Sequence, residues 1–87
     1  MKILFHRNFE KQYKKLRENN KAKFKDRLEI FIKDQFDLLL NNHPLLGKYE
    51  GYRSINVGGD LRAIYKEIKK DTFLFVAIDM HSRLYGK

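Results

Sequence analysis

The chain has 87 residues, enough for one domain with a single modest core and too few for two. It contains no cysteine, so disulfides and thiolate zinc sites are excluded, and no apolar run has the length of a signal peptide or membrane span; we expect a cytoplasmic domain covering 1–87. A formal charge of +8 creates a field that attracts polyanions.

The first half of the chain predicts one strand followed by two helices. Residues 2–6 form a short apolar run, and Asn8 is a helix-start signal because its side chain can accept hydrogen bonds from free amides. Apolar residues then recur at helical spacing in two stretches, the first ending at Asn19–Asn20 and the second covering about 21–40. Pro44 disfavours any continuation of the second helix.

The second half predicts a loop and then three strands joined by tight turns. The loop is expected at 43–51, and the strands at 52–57, 61–68 and 72–78. The first turn contains Gly58 and Gly59, which adopt positive φ at little cost. The fold class is therefore α+β, a strand, two helices and a three-stranded meander, with both helices on one face of a mainly antiparallel four-stranded sheet.

Basic residues alternate with apolar ones along the predicted hairpin. Pairing across a loop of two or four residues predicts that Arg53, Arg62 and Lys66 share one face. Guanidinium groups match phosphate oxygens well, but the interleaved isoleucines would also suit a core face. This pattern leaves phosphate binding and ordinary surface charge both open.

Histidine, the usual acid or base near neutral pH, occurs at three positions. His6 has no chemical neighbours in the sequence, so we expect a structural role for it. His43 and His81 lie at the ends of predicted elements, where sites are commonly built. Together with Asp60 they have the ligand types of a metal site, but their spacing does not pre-arrange one. We predict neither metal nor cofactor.

The end of the chain concentrates polar chemistry directly after the last strand, at His81, Arg83 and Tyr85. No serine or threonine lies in a nucleophile elbow, and no phosphate-binding loop is present. Histidine, aspartate, arginine and tyrosine remain. They are the side chains of a metal-independent ribonuclease, in which the 2′-hydroxyl of the RNA is the nucleophile.

Three segments resemble the RelE/YafQ family of bacterial toxins from type II toxin–antitoxin systems. They are HPLLGKYEGYR at 43–53, GDLRAIY at 59–65 and HSRLYG at 81–86. The resemblance implies a RelE-like fold and an endoribonuclease, or mRNA interferase, that cleaves mRNA in the ribosomal A site. It also implies a cognate antitoxin that wraps the toxin in a hetero-oligomer, and we expect that antitoxin to be acidic because it must cover a +8 surface.

The resemblance also assigns candidate roles to individual residues. We predict catalytic roles for His43, Asp60, Arg62, His81 and Tyr85, and RNA contacts for Arg53, Asn56, Lys66 and Arg83. His81 is the expected general acid, and the general base is open between Asp60 and His43. Asn56 stands where YafQ-type toxins carry a further active-site histidine; an amide cannot exchange protons near neutral pH, so it would orient RNA.

Two other functions remain as alternatives. Related ParE toxins inhibit DNA gyrase without cutting RNA, but they lack this histidine set. A non-catalytic RNA-binding module would show salt-sensitive RNA binding and no cleavage product.

Overall fold

The computed structural model describes residues 1–85, so Gly86, the last residue of the third motif, lies outside the described residues. The strands are β1 (Lys2–Phe5), β2 (His43–Pro44), β3 (Arg53–Gly58), β4 (Leu61–Lys69) and β5 (Thr72–Met80). The helices are α1 (Arg7–Lys14), α2 (Glu18–Lys33) and the short α3 (His81–Leu84), with single 3₁₀ turns at Leu38–Leu40 and Gly47–Tyr49.

The strands form one five-stranded sheet in the order β1-β5-β4-β3-β2. β1 runs parallel to β5, and the other neighbours are antiparallel, which confirms the predicted α+β class and the meander. The predicted count of four strands differs by one because His43 and Pro44, expected in a loop, pair with Ser54 and Arg53. Proline lacks the N–H that a central strand needs, so this pair occupies the sheet edge.

The first helix begins one residue before the predicted signal. His6 is its N-cap, and the Nδ1 atom of His6 accepts a hydrogen bond from the Asn8 backbone N–H at 3.0 Å. The Asn8 side chain instead donates to the Val76 carbonyl at 2.9 Å, which ties α1 to β5. The structural role predicted for His6 is therefore present, and the capping role predicted for Asn8 is wrong.

Both long helices end earlier than the sequence predicts, α1 at Lys14 and α2 at Lys33. α2 begins at Glu18, so Asn19 and Asn20 lie in its first turn and do not separate the helices. α2 ends at Lys33, because the carboxylate of Asp34 accepts from the Phe36 backbone N–H at 3.0 Å and offers the backbone an alternative to helical bonds.

The segment after α2 is consequently not a continuation of an apolar helical stripe. The Asp37 side chain caps the 3₁₀ turn, accepting from the Leu39 backbone N–H at 2.9 Å. Phe36 and Leu39, which fall within the predicted second helix, are 57% and 61% exposed. Only Leu40 of this turn is buried.

The two faces of the sheet carry cores of different size. Both long helices cover one face, as predicted, and we call this the helix face. Its buried cluster contains Phe9, Phe24, Phe31, Leu40, Ile55, Val57, Leu61, Ala63, Tyr65, Phe73, Phe75 and Ile78. The opposite face carries neither long helix, and we call it the open face. It carries a smaller buried cluster of Leu45, Ile64, Ala77 and Leu84, formed where the loop after β2 and α3 fold back onto the sheet.

Among residues 1–85, no helix is both long enough and apolar enough to cross a membrane.

Candidate functional site

A row of polar side chains crosses the open face near one end of the sheet. The strand register pairs Asn56 of β3 with Arg62 of β4, and Arg62 with Asp79 of β5. Residues directly opposite each other in antiparallel strands point to the same face. We call Asn56, Arg62 and Asp79 the polar row.

The neighbouring row identifies this face and brings in the first predicted histidine. His43 pairs with Ser54, and Ser54 pairs with Ile64, which in turn pairs with Ala77. Ile64 and Ala77 belong to the buried cluster of the open face. His43 therefore lies on the same face as the polar row, one row away from it.

A β-bulge in β3 decides which basic residues share this face. Gly58 pairs with Leu61, whereas Asn56 pairs with Arg62, so Val57 is an extra residue without a partner of its own. A shift of one residue reverses the facing of every side chain that precedes it. A regular hairpin therefore predicts the wrong face for the β3 residues that precede the bulge, relative to Arg62 on β4.

Arg53 is the residue that this shift removes from the predicted patch. It pairs with Tyr65, whose ring is buried in the helix-face core. The Arg53 Nε atom donates to the Asn42 side chain at 2.7 Å, and its guanidinium lies 5.3 Å from the centre of the Phe36 ring. The predicted common face of Arg53 with Arg62 is wrong, and the contacts of Arg53 hold the segment that follows α2.

The turn between β3 and β4 brings Asp60 and His81 together. The His81 backbone N–H donates to the Asp60 carbonyl at 2.8 Å, which fixes the start of α3 against this turn. Both residues are exposed to solvent. The His81 ring lies over Tyr85, with 4.7 Å between ring centres. Three of the five predicted catalytic residues are thus neighbours.

Arg62 is held over the same turn by backbone contacts. Its Nη1 atom donates to the carbonyls of Gly59 at 2.8 Å and Leu61 at 3.2 Å. A guanidinium has five N–H donors, so several remain for an anion. Within residues 1–85 no carboxylate pairs with Arg62. The ion pair that Asp79 makes in this row is with Arg83, at 3.6 Å between Nη1 and Oδ1.

Arg83 extends the positive surface beyond the polar row. Its side chain is 74% exposed, and its pair with Asp79 spans one turn. An ion pair with one largely exposed partner contributes little to stability, so Arg83 can exchange Asp79 for a phosphate at small cost.

His43 lies apart from the residues around His81. Its Nδ1 atom is 2.8 Å from the Asn41 carbonyl, so Nδ1 donates to that oxygen, and Nε2 is the acceptor whenever the imidazole is neutral. Three strand spacings separate β2 from β5, which puts the two backbones about 14 Å apart. Asn56 and Arg62 lie between them. The structure therefore places the two histidines on opposite flanks of the polar row.

Buried polar atoms without partners are concentrated on the open face. Within residues 1–85, four buried side-chain atoms lack a hydrogen bond, and three belong to this face: Ser54 Oγ, Asn56 Oδ1 and Tyr85 Oη. Folded proteins keep few such atoms, because each costs about 1–3 kcal/mol. These atoms have almost no solvent exposure, so their cost falls on the stability of the open face.

Lys66 shares the open face but lies far from the polar row. It is four residues from Arg62 along β4, which corresponds to about 13 Å. Its Nζ atom lies 5.0 Å from the centre of the Tyr52 ring. Lys66 and Tyr52 therefore form a separate feature.

Two further aromatic residues of this face were not among the predicted site residues. Tyr49 packs edge-on against both Tyr52 and Tyr85, with 6.1 Å between ring centres in each pair. Burial raises the pKa of the Tyr49 phenol above its usual value, and the neighbouring Tyr85 and Tyr52 phenols raise it further. The signal available in the sequence was the pair of tyrosines in the short segment 49–52, directly before a strand.

In the part of the chain that the structure describes, no group of three or more His, Cys, Asp or Glu residues is placed to hold a metal ion.

The sequence matches the YafQ toxin family, bacterial toxins of type II toxin–antitoxin systems, over residues 1–86. The chain belongs to this family. It is thus a type II toxin of the RelE/YafQ type, as the three motifs predicted. No curated protein matches the chain significantly.

Solved toxin structures share its fold. YafQ from Escherichia coli is 25% identical, with a TM-score of 0.80 and coverage of 97% of both chains. YafQ in the E. coli DinJ–YafQ toxin–antitoxin complex is 26% identical, with a TM-score of 0.77 and coverage of 97% and 96%. At 20% identity, a chain of the RelB–RelE antitoxin–toxin complex from Methanococcus jannaschii matches in fold, with a TM-score of 0.72 and coverage of 95% of both chains.

Proposed function

We propose that this YafQ-family toxin is a metal-independent endoribonuclease that cleaves mRNA in the ribosomal A site and thereby inhibits translation in the cytoplasm. The observation that carries the proposal is the position of Arg62, held over the β3–β4 turn beside Asp60 and within the polar row that ends near His81. This arrangement combines a fixed cation with an acid–base pair on an exposed surface.

The reaction needs no group beyond the RNA and these side chains. A general base removes the proton of the 2′-hydroxyl, whose oxygen attacks the adjacent phosphorus. The P–O5′ bond breaks, and the general acid protonates the departing 5′-oxygen. The products are a 2′,3′-cyclic phosphate and a 5′-hydroxyl. Negative charge develops on the non-bridging oxygens, where donors from a guanidinium are most effective.

His81 is the proposed general acid. It is exposed at the start of α3, and its ring lies over Tyr85 at 4.7 Å, which orients the imidazole. The Tyr85 ring can also stack on a base. The general base is Asp60, adjacent to His81, or His43, whose free Nε2 lies across the polar row. Asn56 and Arg83 would hold the RNA backbone on either side of Arg62.

The charge of the chain supports the proposed partners. An excess of eight positive charges favours association with RNA and the ribosome. Because E. coli YafQ was solved with DinJ and M. jannaschii RelE with RelB, we propose a cognate acidic antitoxin that forms a hetero-oligomer with this toxin.

The test compares mRNA cleavage on ribosomes by the wild type and by the variants His81→Ala and Arg62→Ala. Each substitution should lower the cleavage rate by about 10²- to 10⁴-fold, because one proton donor or one charge-stabilising group is lost. Arg17→Ala is the matched control, since it removes an exposed arginine at the start of α2, which packs on the helix face. Unchanged cleavage in both site variants would contradict the proposal.

Measurements of gyrase supercoiling and of RNA binding, made beside the cleavage assay, separate the alternative functions. Inhibition of gyrase supercoiling with intact mRNA would indicate a ParE-like function. Salt-sensitive RNA binding without a cleavage product would indicate a non-catalytic module. Asp60→Asn and His43→Gln, compared in rate, decide which side chain is the base, since only loss of the base should match the effect of His81→Ala.

A further inference from the structure

A cavity lies on the open face, beyond the polar row. It has a volume of about 320 Å³. Among its lining residues, we call Tyr49 and Tyr52 the tyrosine wall, Val76 and Ala77 of β5 the floor, and His6 and Asn8 the far end. Small-molecule sites begin at about 300 Å³, so the cavity has the size for one flat, ring-shaped group.

The tyrosine wall of the cavity is bordered by two lysines. The Lys48 Nζ atom lies 5.3 Å from the centre of the Tyr49 ring, and the Lys66 Nζ atom lies 5.0 Å from the centre of the Tyr52 ring. Sites for single-stranded nucleic acid combine aromatic rings, on which bases stack, with cations that follow the phosphates. Both components are present here, because a lysine ammonium group lies over each of the two tyrosine rings.

Polar atoms at the far end of the cavity can contact the edge of a base. The Nδ1 atom of His6 is occupied by the Asn8 backbone N–H, which leaves the Nε2 atom of His6. The Asn8 side-chain NH₂ donates to Val76 and Gln12, and within residues 1–85 its Oδ1 atom receives no hydrogen bond. Donor and acceptor atoms at the end of a stacking surface are what base recognition requires.

We propose that this cavity is a second nucleotide site, which holds the base of a nucleotide near the cleaved one on the same RNA strand. The inference rests on the proposed function, because the polar row would bind the scissile phosphate. Lys66, which lies over the Tyr52 ring, is about 13 Å from Arg62 along β4, so a base stacked on Tyr52 beside Lys66 belongs to a different nucleotide from the phosphate held by Arg62. The cavity floor residue Ala77 lies in the row of His43 and Ser54, which makes the two sites continuous across the face.

The experiment measures binding of a short, mixed-sequence 2′-O-methyl RNA, which cannot be cleaved because the nucleophilic hydroxyl is blocked. Tyr52→Leu removes the stacking ring but keeps an apolar side chain. We expect Kd to rise about tenfold, the loss of one base–aromatic stack. Tyr52→Phe retains the ring and should bind as the wild type does.

Tyr13→Leu is the matched control, because Tyr13 is also a half-buried tyrosine with a lysine over its ring, at 5.9 Å from Lys21, but it packs on the helix face. It should leave Kd unchanged. Equal Kd values for Tyr52→Leu and the wild type would overturn the proposal. So would a Tyr52→Leu variant that loses affinity for the antitoxin alone, which would show that the cavity binds protein.

Cleavage is measured separately on ribosomes. Wild-type protein that binds the oligonucleotide through Tyr52 but cuts no mRNA would refute the proposed function and leave the second nucleotide site supported. Wild-type protein that cuts mRNA while Tyr52→Leu binds and cuts normally would refute the second site alone.

Discussion

The two faces of the sheet are built from the same strands but differ in what they contain. The helix face carries a buried cluster of twelve residues, whereas the buried cluster of the open face has four. Three of the four buried side-chain atoms without a hydrogen bond, within residues 1–85, lie on the open face. One face thus supplies most of the apolar stabilisation, and the other carries most of these unpaired polar atoms together with the candidate site.

The small cluster of the open face has a positional role. Leu84 is 4% exposed and packs with Leu45, Ile64 and Ala77, so it anchors α3 to the sheet. α3 contributes His81 at its first position and is followed by Tyr85. The apolar contacts of this face therefore hold the proposed catalytic groups in place.

The largest effect on stability is expected from the helix face. Phe31 is fully buried, and its ring meets Tyr65, Phe73 and Phe75 edge-on at 4.9 to 5.4 Å between centres. Phe31→Ala should lower the free energy of unfolding by about 3–5 kcal/mol, measured by urea denaturation. A loss below about 1 kcal/mol would show that the two faces do not divide stability in this way.

The open face should instead tolerate substitution and change activity. Asn56→His places a titratable imidazole in the polar row beside Arg62. We expect the mRNA cleavage rate to rise, by up to about 10²-fold, because a further group can then transfer protons. The free energy of unfolding should change by about 0.5 kcal/mol or less, because Asn56 is only half-buried and substitutions outside the core usually have small effects.

Asn56→Ala is the control for this prediction. It removes the amide without adding an imidazole, and it should lower RNA affinity without raising the rate. If Asn56→His and Asn56→Ala cleave equally fast, the proton transfers do not pass through this position, and Asn56 only orients RNA.

The sequence predicted the order of the elements well because apolar periodicity and glycine turns are local signals. It misplaced the end of α2 because the Asp34 side chain competes with the helix for backbone hydrogen bonds while the apolar spacing continues past it. It missed β2 because two residues at a sheet edge carry too little pattern to distinguish a strand from a loop.

The candidate site, like the fold, was predictable from the sequence only in part. His81, Asp60 and Arg62 could be grouped from motifs, and the structure brings them to one turn. The facing of Arg53 could not be predicted, because it depends on the bulge at Val57, and a single unpaired residue leaves no trace in the alternation of side chains.

The smallest expected effect tests whether the open face sacrifices stability for binding. Ser54 is fully buried, and its Oγ has no hydrogen-bond partner within the described residues. Ser54→Ala removes that unsatisfied hydroxyl and leaves almost no cavity, so it should raise the free energy of unfolding by about 1 kcal/mol, and Tm by about 4–8 °C. Ser82→Ala is the matched control, because Ser82 is exposed in α3 and its loss should change neither quantity. Thermal unfolding followed by circular dichroism measures both variants. A Ser54→Ala protein that is less stable than the wild type would mean that the hydroxyl stabilises the fold, and that the open face is not strained by its unpaired polar atoms.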